Sequence, residues 1–335
     1  MLTTTWVLPA RRATARAAGR TRVKAIALTA AAAVLAGCAG GAPAGAGAPA
    51  DGEAVPITMG VLPIVPSAAL QLGVDQGIFA EHGFDVELST GKGGAELLPA
   101  VVAGETQFAI SNPLTIMVAQ EQGVPVRMVT GYSSSKTEGE DVNSVWAAPD
   151  SGIESAGDLA GKVVAVNTLR TMGEVSIREV VEADGGDPAT INFVELGFPD
   201  MPAALDRGDI DAAWVPEPFQ TVLAESGNVQ ISANYQETMP GVPTMVVVTG
   251  SEQDPELVAA FAAAVDEVTA YAEAHDDELR ATLADFLEME PALAESVVLE
   301  DFRADVDADA LQALADMALA NGVLTEPVDV AAFVP

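Results

Sequence analysis

The order of strand-like and helix-like signals repeats along this chain, and that repetition restricts the fold more than any other feature. The clearest copy runs from Ile153 to Phe219. It begins with Ile153-Glu-Ser-Ala-Gly-Asp-Leu-Ala-Gly-Lys162, followed by a strand over Val163–Val166 and a polar loop over Thr168–Thr171. A helix is predicted from Thr171 to Asp184, with Ile177, Val180 and Val181 on one face and Gly185-Gly186 as its stop. Ile191–Leu196 and Ile210–Val215 read as further strands, with Asp200 as N-cap of a helix between them that Gly208 ends. The preceding half shows the same order. Strands are predicted at Ile57–Leu62, Phe84–Leu88, Gln107–Ile110 and Val126–Gly131, with helices between them. The joins Ala103-Gly104 and Arg207-Gly208 lie 104 residues apart, each closing a helix just before a strand. Strand–helix alternation of this kind argues for an α/β protein with parallel strands and right-handed crossovers in each half.

The two halves divide the chain into one lobe at 57–132 and 247–335 and a second at 143–235. The segments 133–142 and 236–246 are expected to be inter-lobe crossings that act as a hinge. After Asp254-Pro255, the stripe Leu257, Phe261, Val265 and Val268 predicts a helix packed back on lobe 1, with others from about Asp277 and Asp309. A hydrophobic fraction of 49% over 335 residues suffices for two modest cores.

The first residues stand apart from that body. Arg11, Arg12, Arg16, Arg20, Arg22 and Lys24 precede a short apolar run, Ala25–Leu35, and Leu35-Ala-Gly-Cys38 resembles a bacterial lipobox. Residues 1–37 are read as a lipoprotein signal peptide, Cys38 as the lipidated residue, and 38–56, rich in Ala, Gly and Pro, as a flexible tether. Cys38 is the chain's one cysteine, so disulfides, thiol chemistry and cysteine metal sites are not expected in the body. Removing the leader takes six cations and no acids, moving the net charge from −34 to −40. Such a surface repels nucleic acid and anionic lipid. The expected localisation is extracytoplasmic, held to the membrane through lipid alone.

In open α/β sheets a ligand sits beyond the carboxyl ends of the strands. The residues just after each strand are therefore the candidate ligand contacts. They are Ser67, Lys92, Gly93, Ser111, Asn112 and Tyr132 from lobe 1, and Asn167, Thr168, Arg170, Thr171, Phe198, Trp214 and Glu217 from lobe 2. Several have a second reading. Ser111 and Thr171 read equally as helix caps, Lys92 as a solvated loop cation, and Glu217 as a cap of the next helix. Trp214 is placed in the cleft because it ends a strand near Glu217. Helix N-termini after Lys92, Ser111 and Thr168 suit a polar or anionic group. No catalytic constellation is recognised. His82 and His275 follow no cleft strand, and Gly91-Lys-Gly-Gly94 lacks the spacing of a phosphate-binding loop. No catalytic residue, metal ligand or cofactor is expected.

Four stretches, Leu72–Glu87, Ala100–Ser111, Ser155–Lys162 and Trp214-Val-Pro-Glu-Pro-Phe219, resemble the substrate-binding proteins of ABC importers. The resemblance is to the group containing sulfonate, taurine, nitrate and thiamine-precursor binders, and it covers about residues 57–335. It implies a two-lobe type II periplasmic-binding-protein fold, each lobe a mainly parallel sheet flanked by helices, with a C-terminal helical segment on lobe 1. It also implies a monomeric receptor that closes on a small-molecule ligand and delivers it to an ABC permease and its ATPase. Lys92, Arg170 and the helix N-termini favour an anionic head, whereas Trp214, Tyr132 and Phe198 favour a flat ring. A sulfonate- or taurine-like compound or an aromatic vitamin precursor is preferred to nitrate. Two other classes remain beside this one: an enzyme of the same fold related to thiamine-pyrimidine synthesis, and a ligand-sensing surface lipoprotein.

Overall fold

The computed structural model describes residues 54–91 and 94–335. The signal peptide, Cys38, nearly all of the tether, Lys92 and Gly93 lie outside the described residues. The chain begins with β1 (Val55–Val61), α1 (Val65–Asp75), α2 (Ile78–Glu81), β2 (Phe84–Thr90), α3 (Gly94–Val102), β3 (Phe108–Ser111), α4 (Pro113–Glu121) and β4 (Val126–Ser134). It continues through β5 (Asn143–Ala147), β6 (Val163–Val166), α5 (Met172–Ala183), β7 (Asn192–Glu195), α6 (Met201–Asp206), β8 (Ala212–Pro216), α7 (Phe219–Glu225), β9 (Val229–Ser232) and α8 (Asn234–Thr238). The remainder is β10 (Pro243–Gly250), α9 (Pro255–Ala274), α10 (Asp276–Phe286), α11 (Pro291–Ser296), β11 (Asp301–Phe302), α12 (Ala308–Ala320) and α13 (Val330–Phe333).

Two sheets result, one ordered β11-β4-β10-β3-β1-β2 and the other β7-β6-β8-β5-β9. The expected alternation appears in both: β1 pairs in parallel with β2 and β3, and β6 with β7 and β8. The six-stranded sheet also takes in two reversed strands, β10 and the short edge strand β11, and the five-stranded sheet takes in one, β5. β10 runs antiparallel between β3 and β4, and β5 runs antiparallel between β8 and β9. The sheets are therefore mixed rather than mainly parallel. The reason lies where the chain passes from one half to the other: each passage ends in an apolar segment that enters the next sheet as a strand. β10 starts at Pro243, inside the segment expected to be a crossing.

Burial follows sheet position. Central strands β3 and β8 are buried along their whole length, whereas edge strand β2 alternates, with Phe84 and Val86 inside and Asp85 and Glu87 outside. Gly104 and Gly208 take φ of 73° and 70° after α3 and α6, a left-handed conformation that a side chain disfavours. Ser155 and Asp158 form a reciprocal capping box, and the Gly157 amide donates to Asp184 Oδ2 at 2.7 Å, so Ser155–Lys162 fastens the end of α5.

The C-terminal stripe packs as its spacing predicts. Phe261 on α9 stacks on Phe108 with centroids 3.9 Å apart and also meets Phe79 and Phe84, which joins α9 to the six-stranded sheet. α12 departs from the simpler picture because it touches both α4 and α5 and so bridges the two sheets' helical layers. No helix among the described residues is long and apolar enough to cross a membrane.

Candidate functional site

A cleft opens where the carboxyl ends of both sheets meet. Leu62 and Ile64 follow β1, Ser111 and Asn112 end β3, Asn167 follows β6, and Trp214 and Pro216 close β8. The reversed strands add their amino ends, Asn143 of β5 and Thr244 with Met245 of β10. Phe198, Tyr235 and Glu300 complete the lining. The free space at its centre is about 20 Å³, room for about one water, so the two faces stand closed on each other.

Five of the candidate residues meet here: Ser111, Asn112, Asn167, Phe198 and Trp214. Asn112 is the cap of α4, its Oδ1 accepting from Thr115 N at 2.9 Å, which leaves Ser111 Oγ without that duty. Ser111 Oγ, Asn143 Nδ2 and Trp214 Nε1 are buried and have no hydrogen-bond partner in the protein. Buried polar groups ordinarily find partners, and of the six such atoms without one among the described residues three fall around this cleft. The Trp214 ring is set by Phe198 and Tyr235, with centroids at 5.7 and 5.5 Å, and by Gly173, where a Cβ would stand 2.8 Å from the indole.

The other candidates have different places. Ser67 Oγ accepts from the Leu62 amide and so shapes the turn after β1. Tyr132 is fully buried, its hydroxyl donating to the Pro66 carbonyl and its ring edge-on to Phe302. Burial first, and then the charge of Glu300, push its phenol well above the usual range. Thr171 Oγ1 donates to the Thr168 carbonyl, and neither residue lines the cleft. Arg170 donates to the carbonyls of Gly322 and Val323.

Glu217 turns away from the cleft. Its carboxylate accepts from Val298 N at 2.9 Å, Gln220 Nε2 at 3.0 Å and Thr221 Oγ1 at 2.8 Å. Burial raises its pKa against those hydrogen bonds. Of its two sequence readings, capping the next helix is the nearer, since Thr221 N also donates to it at 3.3 Å. His82 pairs with Glu267 and His275 stacks on Tyr271, both outside the cleft lining.

Asn143, Tyr235, Thr244, Met245 and Glu300 were not among the candidates. The first, third and fourth begin reversed strands, and a rule that reads only the carboxyl ends of strands passes over them. Glu300 accepts from Thr244 Oγ1 at 2.8 Å, and Ser133 Oγ lies 2.8 Å from the same Thr244 oxygen. Burial pushes its pKa up to about 7, with Asp141 adding to the rise and Lys136 opposing it. Asp141 accepts from Lys136 N and Val142 N at 2.9 Å and from Gln236 N at 3.2 Å, so it fastens both chain passages to each other.

Among curated proteins, the chain is 29% identical over 197 residues to the taurine-binding periplasmic protein of Escherichia coli (strain K12), covering 57% of this chain and 59% of that one. It is 23% identical over 220 residues to the formylaminopyrimidine-binding protein of Halalkalibacterium halodurans, covering 63% and 64%. The chain thus spans about three-fifths of the length of the curated relatives it matches. Among solved structures it superposes on the alkanesulfonate-binding protein SsuA from Xanthomonas axonopodis pv. citri, bound to MOPS, with a TM-score of 0.72. That match has 18% identity and covers 85% of this chain and 99% of that one, a likeness that shows the two-lobe periplasmic-binding-protein fold. The family model described as NMT1/THI5 like matches residues 67–279, and the chain belongs to that family.

Proposed function

We propose that this protein is the extracytoplasmic solute receptor of an ABC importer, a monomer that closes two lobes on a small organic solute and hands it to a permease with its ATPase. The observation that carries the reading is the cleft between the sheets, with Ser111 Oγ, Asn143 Nδ2 and Trp214 Nε1 unpartnered around it. These groups belong to opposite sheets, so a solute accepting from all of them is held by both lobes at once. The passages at 133–142 and 236–246 then form the hinge, joined through Asp141. The two curated relatives are binding proteins by name, which supports a receptor over an enzyme. Their ligands support a sulfonate- or taurine-like solute or a thiamine-pyrimidine precursor as the class. Lipidation of Cys38 would place the receptor on the outer face of the cell membrane.

Calorimetry and thermal-shift measurements across sulfonates, nitrate and aminopyrimidines test the reading. One member of the set is expected to bind at micromolar affinity or tighter and to raise the melting temperature. Silence across the whole set rejects the receptor. Replacing Cys38 with alanine is expected to move the protein from the membrane fraction into the soluble one.

A further inference from the structure

Among the described residues that line the cleft, Glu300 is the one acidic or basic side chain. It is only 4% exposed. Its Oε2 accepts from Thr244 Oγ1, and Thr244 lies two residues before Val246, the partner of Ser111 across the β3–β10 ladder. The carboxylate therefore belongs to the six-stranded face, near the Ser111 end. The nearby cation, Lys136, is already paired with Asp301. Ser111, Asn143 and Trp214, at 1%, 4% and 5% exposure, offer neutral donors without partners.

The two sets ask for different things. Three unpartnered donors ask for acceptor oxygens. A buried carboxylate beside them repels a bare anion, and in a desolvated cleft that repulsion is larger than in water. A solute with both an acceptor head and a cationic end satisfies both. Resting on the receptor reading above, we infer that the cleft takes a small zwitterion, with Glu300 as counter-ion of its ammonium group and Ser111, Asn143 and Trp214 donating to its acidic head.

The state of Glu300 without a cation fits this assignment. Burial holds its pKa near 7, so the side chain is partly protonated at neutral pH. An ammonium group beside it favours the ionised form, and binding at pH 7 therefore releases protons.

The test compares 2-aminoethanesulfonate with ethanesulfonate by isothermal titration calorimetry on the full protein, with nitrate and a neutral aminopyrimidine alongside. The amino sulfonate is expected to bind about tenfold tighter than ethanesulfonate or better. Glu300→Gln is expected to erase that preference by weakening the first and strengthening the second. For the unaltered protein, the heat of binding the amino sulfonate at pH 7 should differ between buffers of unlike ionisation enthalpy, which reports proton release without any variant. Equal affinity for the two sulfonates, a preference that survives in Glu300→Gln, or a buffer-independent heat each overturns the assignment. Tight binding of nitrate or the aminopyrimidine in place of the amino sulfonate keeps the receptor and rejects the zwitterion. No binding by any of the four solutes rejects both.

Discussion

Arg170 Nη2 donates to the carbonyl of Val323 at 3.1 Å and to that of Gly322 at 3.2 Å, so a loop leaving the five-stranded sheet holds the turn after α12. Asn321 adds a second tie in the same place, its Nδ2 donating to Glu179 Oε1 at 2.7 Å. Arg170 thus ties the loop after β6 to the turn after α12 and is not among the cleft-lining residues. If the lobes part to admit a solute, these bonds break and re-form with closure, and their removal is expected to weaken binding without touching the solute.

Arg170→Ala should weaken solute affinity by about 1 kcal/mol, roughly fivefold in Kd, because part of the clasp is solvated. Arg170 also holds φ at 58°, a left-handed conformation that glycine adopts without strain. Arg170→Gly should thus lose the same affinity yet unfold at a higher temperature than Arg170→Ala. Calorimetric Kd values beside melting curves separate the two effects. Unchanged affinity in both variants excludes the clasp.

Trp214 carries two separable functions, a packed ring and a donor. Trp214→Phe keeps most of the contact with Phe198 and Tyr235 but removes Nε1–H. The expected outcome is about a tenfold loss in affinity, with unfolding free energy changed by about 1 kcal/mol or less, since an unpartnered buried donor leaves with the indole. Gly173→Ala acts from the other side. Its Cβ would meet the ring at 2.8 Å and push it toward the cleft, at a cost of about 1–3 kcal/mol in stability. Urea unfolding and titration of the same preparations give both numbers.

The alternation of strands and helices was open to reading because it is local. Val163–Val166 is a continuous apolar run, and the glycines at 104 and 208 stop their helices from within a few residues. What pairs with what is not local. Asn143–Ala147 and Pro243–Gly250 are strand-like by composition, yet nothing in them states that they enter the opposite sheet reversed. Side-chain direction was the other gap. Tyr132 and Glu217 both stand near strand ends, as the cleft rule requires, but one reaches the Pro66 carbonyl and the other Val298 N. Glu300 is one of 49 acidic residues, and only its bond to Thr244 on a reversed strand distinguishes it.

Asp141 should govern the hinge. Its carboxylate takes amides from both passages, Lys136 and Val142 on one and Gln236 on the other, and it also accepts from Ser135 Oγ at 2.9 Å. Asp141→Ala leaves those donors without partners in a largely buried setting, at an expected cost of about 2–4 kcal/mol. Asp141→Asn keeps one acceptor oxygen and should fall between the two. Denaturant unfolding checks the order. If Asp141→Ala unfolds like the unaltered protein, Asp141 is not what joins the passages.

The pH dependence of stability should carry the signature of Glu300. Its pKa is raised in the folded protein from 4.5 to about 7, mainly by burial. Between those values the folded form holds a proton that the unfolded form has released, so stability falls as pH rises through the window. The loss from this one group is about 3 kcal/mol, complete above pH 7. Asp141 and Glu217, also raised by burial, contribute in the same sense, while Lys136 opposes the Glu300 shift. Glu300→Gln removes the penalty by staying neutral. It should therefore unfold at higher urea than the unaltered protein at pH 8 and at nearly the same urea at pH 4.5. A gap of equal size at both pH values would mean that Glu300 is not the buried, titrating carboxylate of this cleft. Adding 2-aminoethanesulfonate at pH 8 should narrow the gap, because the ammonium offsets the buried charge in the unaltered protein and finds no counter-ion in the variant.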